Sequence, residues 1–191
     1  MDNLKKTINL LSPISNEIWL EIEKLFEKRI LKKNEFFIKE GVTAKNIAFL
    51  KSGIIRAFYI TKEGNEYNKH FFIENSFFGG YSSLITKKPN QINQQALTDC
   101  EIYTAKYSEF SKLYEKFSEL EKSGRKIAEN RFVEKEQREI ELVTLNATER
   151  YLIFQKSFPN LELLINQYHI ASYIGVSPTQ LSRIRNKIAK N

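Results

Sequence analysis

One change of hydrophobic period divides this chain. Between residues 35 and 106 the apolar side chains come in short runs, EFFIKEG, NIAFLKSG, IIRAFYITKEGNEYNKHFFIENSFFGG and QALTDCEIYTAKY, rich in Phe, Ile and Tyr. Turn signals at Lys51-Ser52-Gly53 and Lys62-Glu63-Gly64-Asn65 punctuate them. Several short strands at such spacing predict a small β-barrel or β-roll that ends near Lys106. From Tyr107 to about Leu145 the pattern is helical, heavily charged and free of proline. The expected fold class is α+β, with the strands first and the helices after them.

A first helix is expected over residues 16–30, where Ile18, Ile22, Leu25, Phe26 and Arg29 fall at helical spacing behind Ser15 as N-cap. In the long charged helix, Phe117, Leu120, Gly124 and Ile127 form a seam suited to pairing two chains. The same heptad puts Arg131, Glu134 and Arg138 in the seam further on, so a regular coiled coil does not continue. Packing of this helix on its own β-domain is the alternative. Asn146-Ala147-Thr148-Glu149 reads as a capping box that opens a new domain. The expected division is residues 1–116, 117–145 and 146–191.

Charge and composition narrow the function. Thirty Lys and Arg against twenty-three Asp and Glu give +7, which favours a polyanionic partner. Residues 163–191 contain Arg183, Arg185, Lys187 and Lys190 and no carboxylate side chain, so the positive field is concentrated there. A single cysteine, Cys100, rules out an internal disulfide and any cysteine-ligated cluster within one chain. His70 and His169 lie in different regions, so no two-histidine metal site forms in one β-roll, and no Ser-His-Asp or Cys-His set has suitable company. Neither an enzyme nor a metalloprotein is expected, and no cofactor. With no signal-peptide stretch and no membrane span, the expected location is the cytoplasm.

Residues 166–190, NQYHIASYIGVSPTQLSRIRNKIAK, carry the functional signal. Ile170 and Ile174 supply a buried face, Ala171 a close helix contact, and Gly175 a residue that takes a left-handed turn at low cost. Ser177 then serves as N-cap with Pro178 in the first helical position. Leu181, Ile184 and Ile188 form the buried side of the second helix. Its polar side, Thr179, Gln180, Ser182, Arg183, Arg185, Asn186 and Lys187, offers donors and acceptors for base edges and cations for phosphates. A helix-turn-helix with 177–190 as the recognition helix follows, and double-stranded DNA as the partner.

With these features together, the chain resembles the cyclic-AMP receptor and fumarate–nitrate regulator (Crp/Fnr) superfamily over nearly its whole length. Supporting residues are Gly53, Phe78-Gly79 at the phosphate-cassette position, Ala96 with the DCEI strand, Thr148 and Arg150, and above all HIASYIGVSPTQLSRIR. The resemblance implies a cyclic-nucleotide-binding-like β-roll, a long dimerisation helix and a C-terminal winged helix-turn-helix that enters the major groove of a palindromic site. It also implies base reading at Pro178, Thr179 and Arg183. Only Arg183 brings a guanidinium for guanine O6 and N7, so the operator should depart from the usual one. Gln180, Asn166 and Gln167 fall where phosphate contacts are expected, and the DNA-binding set is completed by Ser177, Ser182, Arg185 and Lys187. A homodimeric regulator that also meets RNA polymerase is expected, with no membrane partner. The alternative is a ligand-sensing or protein-interaction module with non-specific DNA affinity only.

Cyclic-AMP control does not fit the residues. A buried cyclic phosphate needs an arginine, and the ribose a glutamate. Ungapped alignment puts Asn90 at the arginine position and Gly80 at the glutamate position. Lys135 and Glu136 stand where the long helix would meet the base. The candidate pocket, for an unidentified small molecule or none, comprises Gly79, Gly80, Tyr81, Ser82, Ser83, Asn90 and Gln91 with Arg131, Lys135 and Glu136 from the helix.

Overall fold

The structure is a computed structural model that describes residues 1–190; Asn191, the last residue of the expected third segment, lies outside the described residues. Two short helices, α1 (Asp2–Leu11) and α2 (Asn16–Leu25), precede the sheets. The Ile18 amide donates to Ser15 Oγ at 3.3 Å, which caps α2 as expected. One sheet holds β1 (Glu27–Leu31), β8 (Cys100–Lys106), β3 (Asn46–Ser52) and β6 (Ser76–Gly79), in that order. The other holds β2 (Phe36–Ile38), β7 (Asn93–Ala96), β4 (Ile55–Ile60) and β5 (Glu66–Phe72). The pairings of β8 with β1 and β3, of β3 with β6 and of β2 with β7 are antiparallel.

Central strands are apolar without alternation because both of their faces are covered. Ala48 and Leu50 of β3 and Ile102 of β8 join Leu31, Ile55, Phe72, Phe78 and Cys100 in the interior of the roll. Phe49, Tyr103 and Ala105, from the same two strands, pack instead with Leu4, Ile8, Trp19 and Ile22 of α1 and α2. Gly53 makes the turn between β3 and β4 at φ +99°, where an added Cβ would stand 2.6 Å from Cys100 Sγ and 2.7 Å from the Asp99 carbonyl oxygen.

The first expected helix is too long by one element. It stops at Leu25, and residues 27–31 run as β1, paired along their whole length with β8. Ladder hydrogen bonds and the Lys28–Glu101 ion pair at 2.9 Å outweigh the helical spacing of those residues. After β8 come α3's later counterparts: with α3 at Tyr81–Thr86 in the β6–β7 connection, the helices that follow are α4 (Tyr107–Phe110), α5 (Lys112–Lys116) and α6 (Ser118–Thr144). Of the seam expected to pair two chains, Phe117, Leu120 and Gly124 are turned inward, while Ile127 is half-buried. Leu120 is 1% exposed and packs with Phe117 in the α1–α2 core, and a Cβ on Gly124 would meet Tyr114 Oη at 2.7 Å. Exposed apolar side chains lie further along α6, at Phe132, Val133, Ile140 and Val143.

The chain divides into two compact units where three segments were expected: residues 1–57 with 71–130, and residues 58–70 with 131 onward. α6 contributes to both, and the outer part of the β4–β5 hairpin belongs with the C-terminal helices. These are α7 (Ala147–Ser157), α8 (Gln167–Ile174) and α9 (Pro178–Ile188). The expected wing is not a β-hairpin: among the described residues no strand follows β8. Asn160 takes a left-handed turn at φ +63°, and a 3-10 turn at Leu161–Leu163 buries Leu161 to 2%, closing the helical core with too few residues for two strands. No helix of the described residues is long and apolar enough to cross a membrane, and no three His, Cys, Asp or Glu side chains among them come together as a metal site.

Candidate nucleic-acid interface

Each helix of the C-terminal unit is started by its own side chains. Asn146 caps α7, accepting from the Thr148 and Glu149 amides at 2.9 and 3.1 Å, while Glu149 accepts from the Asn146 amide at 2.8 Å. Asn166 caps α8 through the Tyr168 amide at 2.9 Å. Gly175, at φ +74°, turns the chain out of α8, and Ser177 caps α9 with Pro178 in its first turn. Ile170, Ala171, Ile174 and Leu181 are buried to 1% exposure or less. The rings of Phe154 and Phe158 of the preceding segment meet Tyr173 at 5.7 and 5.8 Å, the first tilted and the second edge-to-face. Arg150 Nε donates to the Ile174 carbonyl at 2.8 Å, tying α7 to the end of α8.

This packing turns one face of α9 outward. Thr179, Ser182, Arg183, Asn186 and Lys187 are exposed at helical spacing and form a ridge. An open hollow of about 640 Å³ runs along one flank, lined by Asn146, Thr148, Glu149, Gln180, Arg183 and Lys187 among others. A second, of about 370 Å³, runs along the other and is lined by Gln167, Ser182, Arg185, Asn186 and Ala189. The N-terminus of α7 opens on the first and that of α8 on the second, so each flank combines the positive end of a helix dipole with basic side chains. Among the described residues Glu149 is the one carboxylate lining either hollow, and it is held in the cap of α7.

Three expected contacts have other employment. Gln180 closes the α9 capping box, with Oε1 accepting from the Ser177 amide at 3.0 Å and from Ser177 Oγ at 3.2 Å. Arg185 is half-buried, its Nε 4.0 Å from Glu162 Oε2. Glu162 also accepts from Tyr151 Oη at 2.5 Å and Gln155 Nε2 at 2.9 Å. Burial alone would raise the Glu162 pKa, but those hydrogen bonds and the Arg185 charge prevail and lower it; burial first and then Glu162 push Tyr151 up to about 12. Asn166 spends its side-chain oxygen on the α8 cap. Asn186, exposed one turn beyond Arg183, and Thr148 join the interface; spacing from Arg183 signals the first, while the second needs the fold.

Within the β-roll, Gly80 and Asn90 do meet, for a Cβ on Gly80 would lie 3.0 Å from Asn90 Oδ1. Asn90 is 5% exposed and its amide group donates to the Ile92 carbonyl. Ser83 Oγ accepts from the Ala44 amide at 2.9 Å and donates to the Lys88 carbonyl at 2.5 Å. Gln94 Nε2 donates to the Gly79 carbonyl at 2.9 Å, and Lys87 Nζ to the Leu84 carbonyl at 2.7 Å. Phe37 and Phe72 close on Phe78 at 4.8 and 5.6 Å in the interior. Tyr81, Ser82 and Gln91 face solvent. Asn93 Nδ2 and Gln94 Oε1 are buried without a hydrogen-bond partner, an uncharged donor and an uncharged acceptor. On α6, Arg131 Nη1 donates to His70 Nε2 at 3.1 Å and pairs with Glu134 at 2.7 Å. Burial, and then the Arg131 charge, lower the His70 pKa to about 3, so the ring is neutral. Lys135 pairs with Glu139 at 3.4 Å, and Glu136 is exposed.

Residues 28–117 match the cyclic nucleotide-binding domain family. FixK2 from Bradyrhizobium japonicum is similar in structure with a TM-score of 0.78 at 16% identity, over 87% of this chain and 85% of that one. A CooA mutant from Carboxydothermus hydrogenoformans gives 0.73 at 18% identity, over 98% and 84%. A protein of the Crp/Fnr family from Eubacterium rectale gives 0.73 at 14%, over 92% and 84%. No curated protein matches the sequence. Residues 28–117 are therefore similar to the cyclic nucleotide-binding domain family, and the chain has the fold of the Crp/Fnr regulators.

Proposed function

We propose that this protein is a sequence-specific DNA-binding transcription regulator of the Crp/Fnr type that acts as a homodimer and not as an enzyme. The observation that carries the reading is the exposed ridge of α9, flanked by two hollows that each receive a helix N-terminus. A major groove is about 12 Å wide, enough for one helix, and is bounded by two phosphate backbones. The ridge supplies Arg183 for guanine O6 and N7 and Asn186 for the edge of adenine, while Lys187, Thr148, Gln167 and the helix ends meet phosphates. Pro178 and Thr179 begin the ridge with small, uncharged groups that suit a thymine methyl.

The second copy docks on the exposed stripe of α6, where Phe132, Ile140 and Val143 fall at helical spacing with exposures of 66, 49 and 87%. In the cytoplasm the regulator's further partner is RNA polymerase. Its β-roll takes no cyclic nucleotide, because Asn90 and Ser83 spend hydrogen bonds on the backbone around them and the buried Arg56 is engaged by Gln95 Oε1 at 3.0 and 2.7 Å.

Selection from a random duplex pool tests the reading. The selected sequence should be two-fold symmetric and bind on the order of a thousandfold more tightly than a scrambled duplex at physiological salt. Equal affinity for both would leave only a basic surface and refute the assignment.

A further inference from the structure

We propose that Ser172 and Asn68 are positioning residues for DNA binding, through which the β4–β5 hairpin grips the back of α8 and fixes the attitude of the recognition helix. The inference rests on the regulator reading above and deepens it. Ser172 Oγ accepts from the Asn68 amide at 2.9 Å and donates to the Glu66 carbonyl at 2.7 Å. Asn68 Nδ2 donates to the His169 carbonyl at 3.1 Å. Three hydrogen bonds thus join segments more than a hundred residues apart in sequence.

The side of α8 that is gripped decides what the grip does. Ile170, Ala171 and Ile174 face the core shared with α9 and are buried, whereas His169 and Ser172 lie on the opposite side at helical spacing. The hairpin therefore covers no part of the α9 ridge, where Thr179, Arg183 and Asn186 remain exposed. A contact of this kind does not mask the DNA-binding surface; it holds it. Asn68 itself is 6% exposed, and its Oδ1 is buried without a hydrogen-bond partner. A side chain that leaves a buried acceptor unmet is a poor choice for packing alone and a sensible one for the bond its Nδ2 makes.

The consequence is specific to two-fold sites. One recognition helix finds a single half-site in any attitude, because the whole molecule reorients with it. Two helices of a dimer must meet half-sites spaced by about one helical turn, roughly 34 Å, so freedom at each helix is lost only on the full site. Loosening the grip weakens full-site binding and spares half-site binding.

The test uses the full chain with Ser172→Ala, Asn68→Ala and Ser172→Thr, the last retaining the hydroxyl. The probes are the selected two-fold duplex, a duplex with one half-site scrambled, and hydrogen exchange at the Asn68 amide. Ser172→Ala should lose about tenfold on the full site, with half-site affinity within about twofold of wild type, faster exchange at Asn68 and recovery in Ser172→Thr. Asn68→Ala should show the same split, less strongly. Unchanged full-site affinity, equal losses on both duplexes, or unchanged exchange at Asn68 would each overturn the proposal while leaving the regulator reading intact. A wild-type protein that binds selected and scrambled duplexes alike refutes the regulator reading and this inference with it.

Discussion

Arg183→Ala separates base reading from mere attraction to DNA. Arg183 is exposed on the ridge and lines the hollow beside α7, with Lys187 one turn further along the same hollow. A bidentate arginine–guanine contact is worth about 1–3 kcal/mol of discrimination, and a two-fold site contains two of them. The variant should then lose about 2–6 kcal/mol on the selected duplex, at least thirtyfold in affinity, and little on a scrambled one. Lys187→Ala should behave in the opposite manner. It removes one phosphate contact per protomer, so it weakens all duplexes alike and flattens the plot of log affinity against log salt by nearly two units for the dimer. Gln180→Ala, which opens the α9 capping box, should cost about 1 kcal/mol of stability and leave base preference unchanged. Fluorescence anisotropy over a salt series, with selected and scrambled duplexes, reads all three. Proportional losses on both duplexes for Arg183→Ala would show that the ridge does not face base edges, and the orientation argued for α9 would fall.

Further predictions follow from the same geometry. Gly53→Ala meets both a left-handed backbone and contacts of 2.6 and 2.7 Å, whereas at Gly175 a new Cβ finds nothing nearer than 3.9 Å. Urea unfolding should show Gly175→Ala losing about 1–2 kcal/mol from strain alone and Gly53→Ala losing more. His70, with a folded pKa of about 3 against about 6.5 unfolded, is neutral in the fold. Its contribution to stability is complete above pH 6.5 and is lost as the pH falls toward 3, because the unfolded chain binds the proton first. His70→Gln should flatten that part of the stability–pH curve. Ile140→Asp on the exposed stripe of α6 should give monomers by sedimentation without loss of folding, whereas Leu120→Ala should cost about 2–5 kcal/mol of stability.

What was legible in the sequence, and what was not, follows the range of the forces involved. The capping boxes at Asn146 and Ser177, the left-handed Gly175 and the buried Ile170, Ala171, Ile174 and Leu181 are set by neighbours within a turn or two. Spacing alone locates them, save that Gln180 reads as a phosphate contact and only the fold shows it closing the cap at Ser177. Residues 27–31 carry a helical pattern yet form β1, because their partners on β8 lie some seventy residues away and no local signal announces a ladder. The seam on α6 is an apolar stripe whose occupant the sequence does not name: Leu120 and Phe117 meet α1 and α2, with Leu4 and Ile8 one turn apart on α1.

The interface shows the same division more sharply. Polar residues on α9 look alike in a helical projection, and only the fold distinguishes those already engaged. Gln180 is taken by its own cap and Arg185 by Glu162, a residue outside the carboxylate-free tail whose single carboxylate answers one of its four cations. Asn90 and Gly80 present the converse. Their departure from a phosphate site is plain from residue type, and the fold adds where the buried amide finds its partner: Asn90 donates to the uncharged Ile92 carbonyl beside Gly80. In the C-terminal unit α8 is held from two sides, by the hairpin bonds to Ser172 and His169 and by Arg138 of α6, which donates to the Tyr173 carbonyl and lies over the Tyr173 ring at 4.1 Å, so a change at either side reaches the helix that precedes α9.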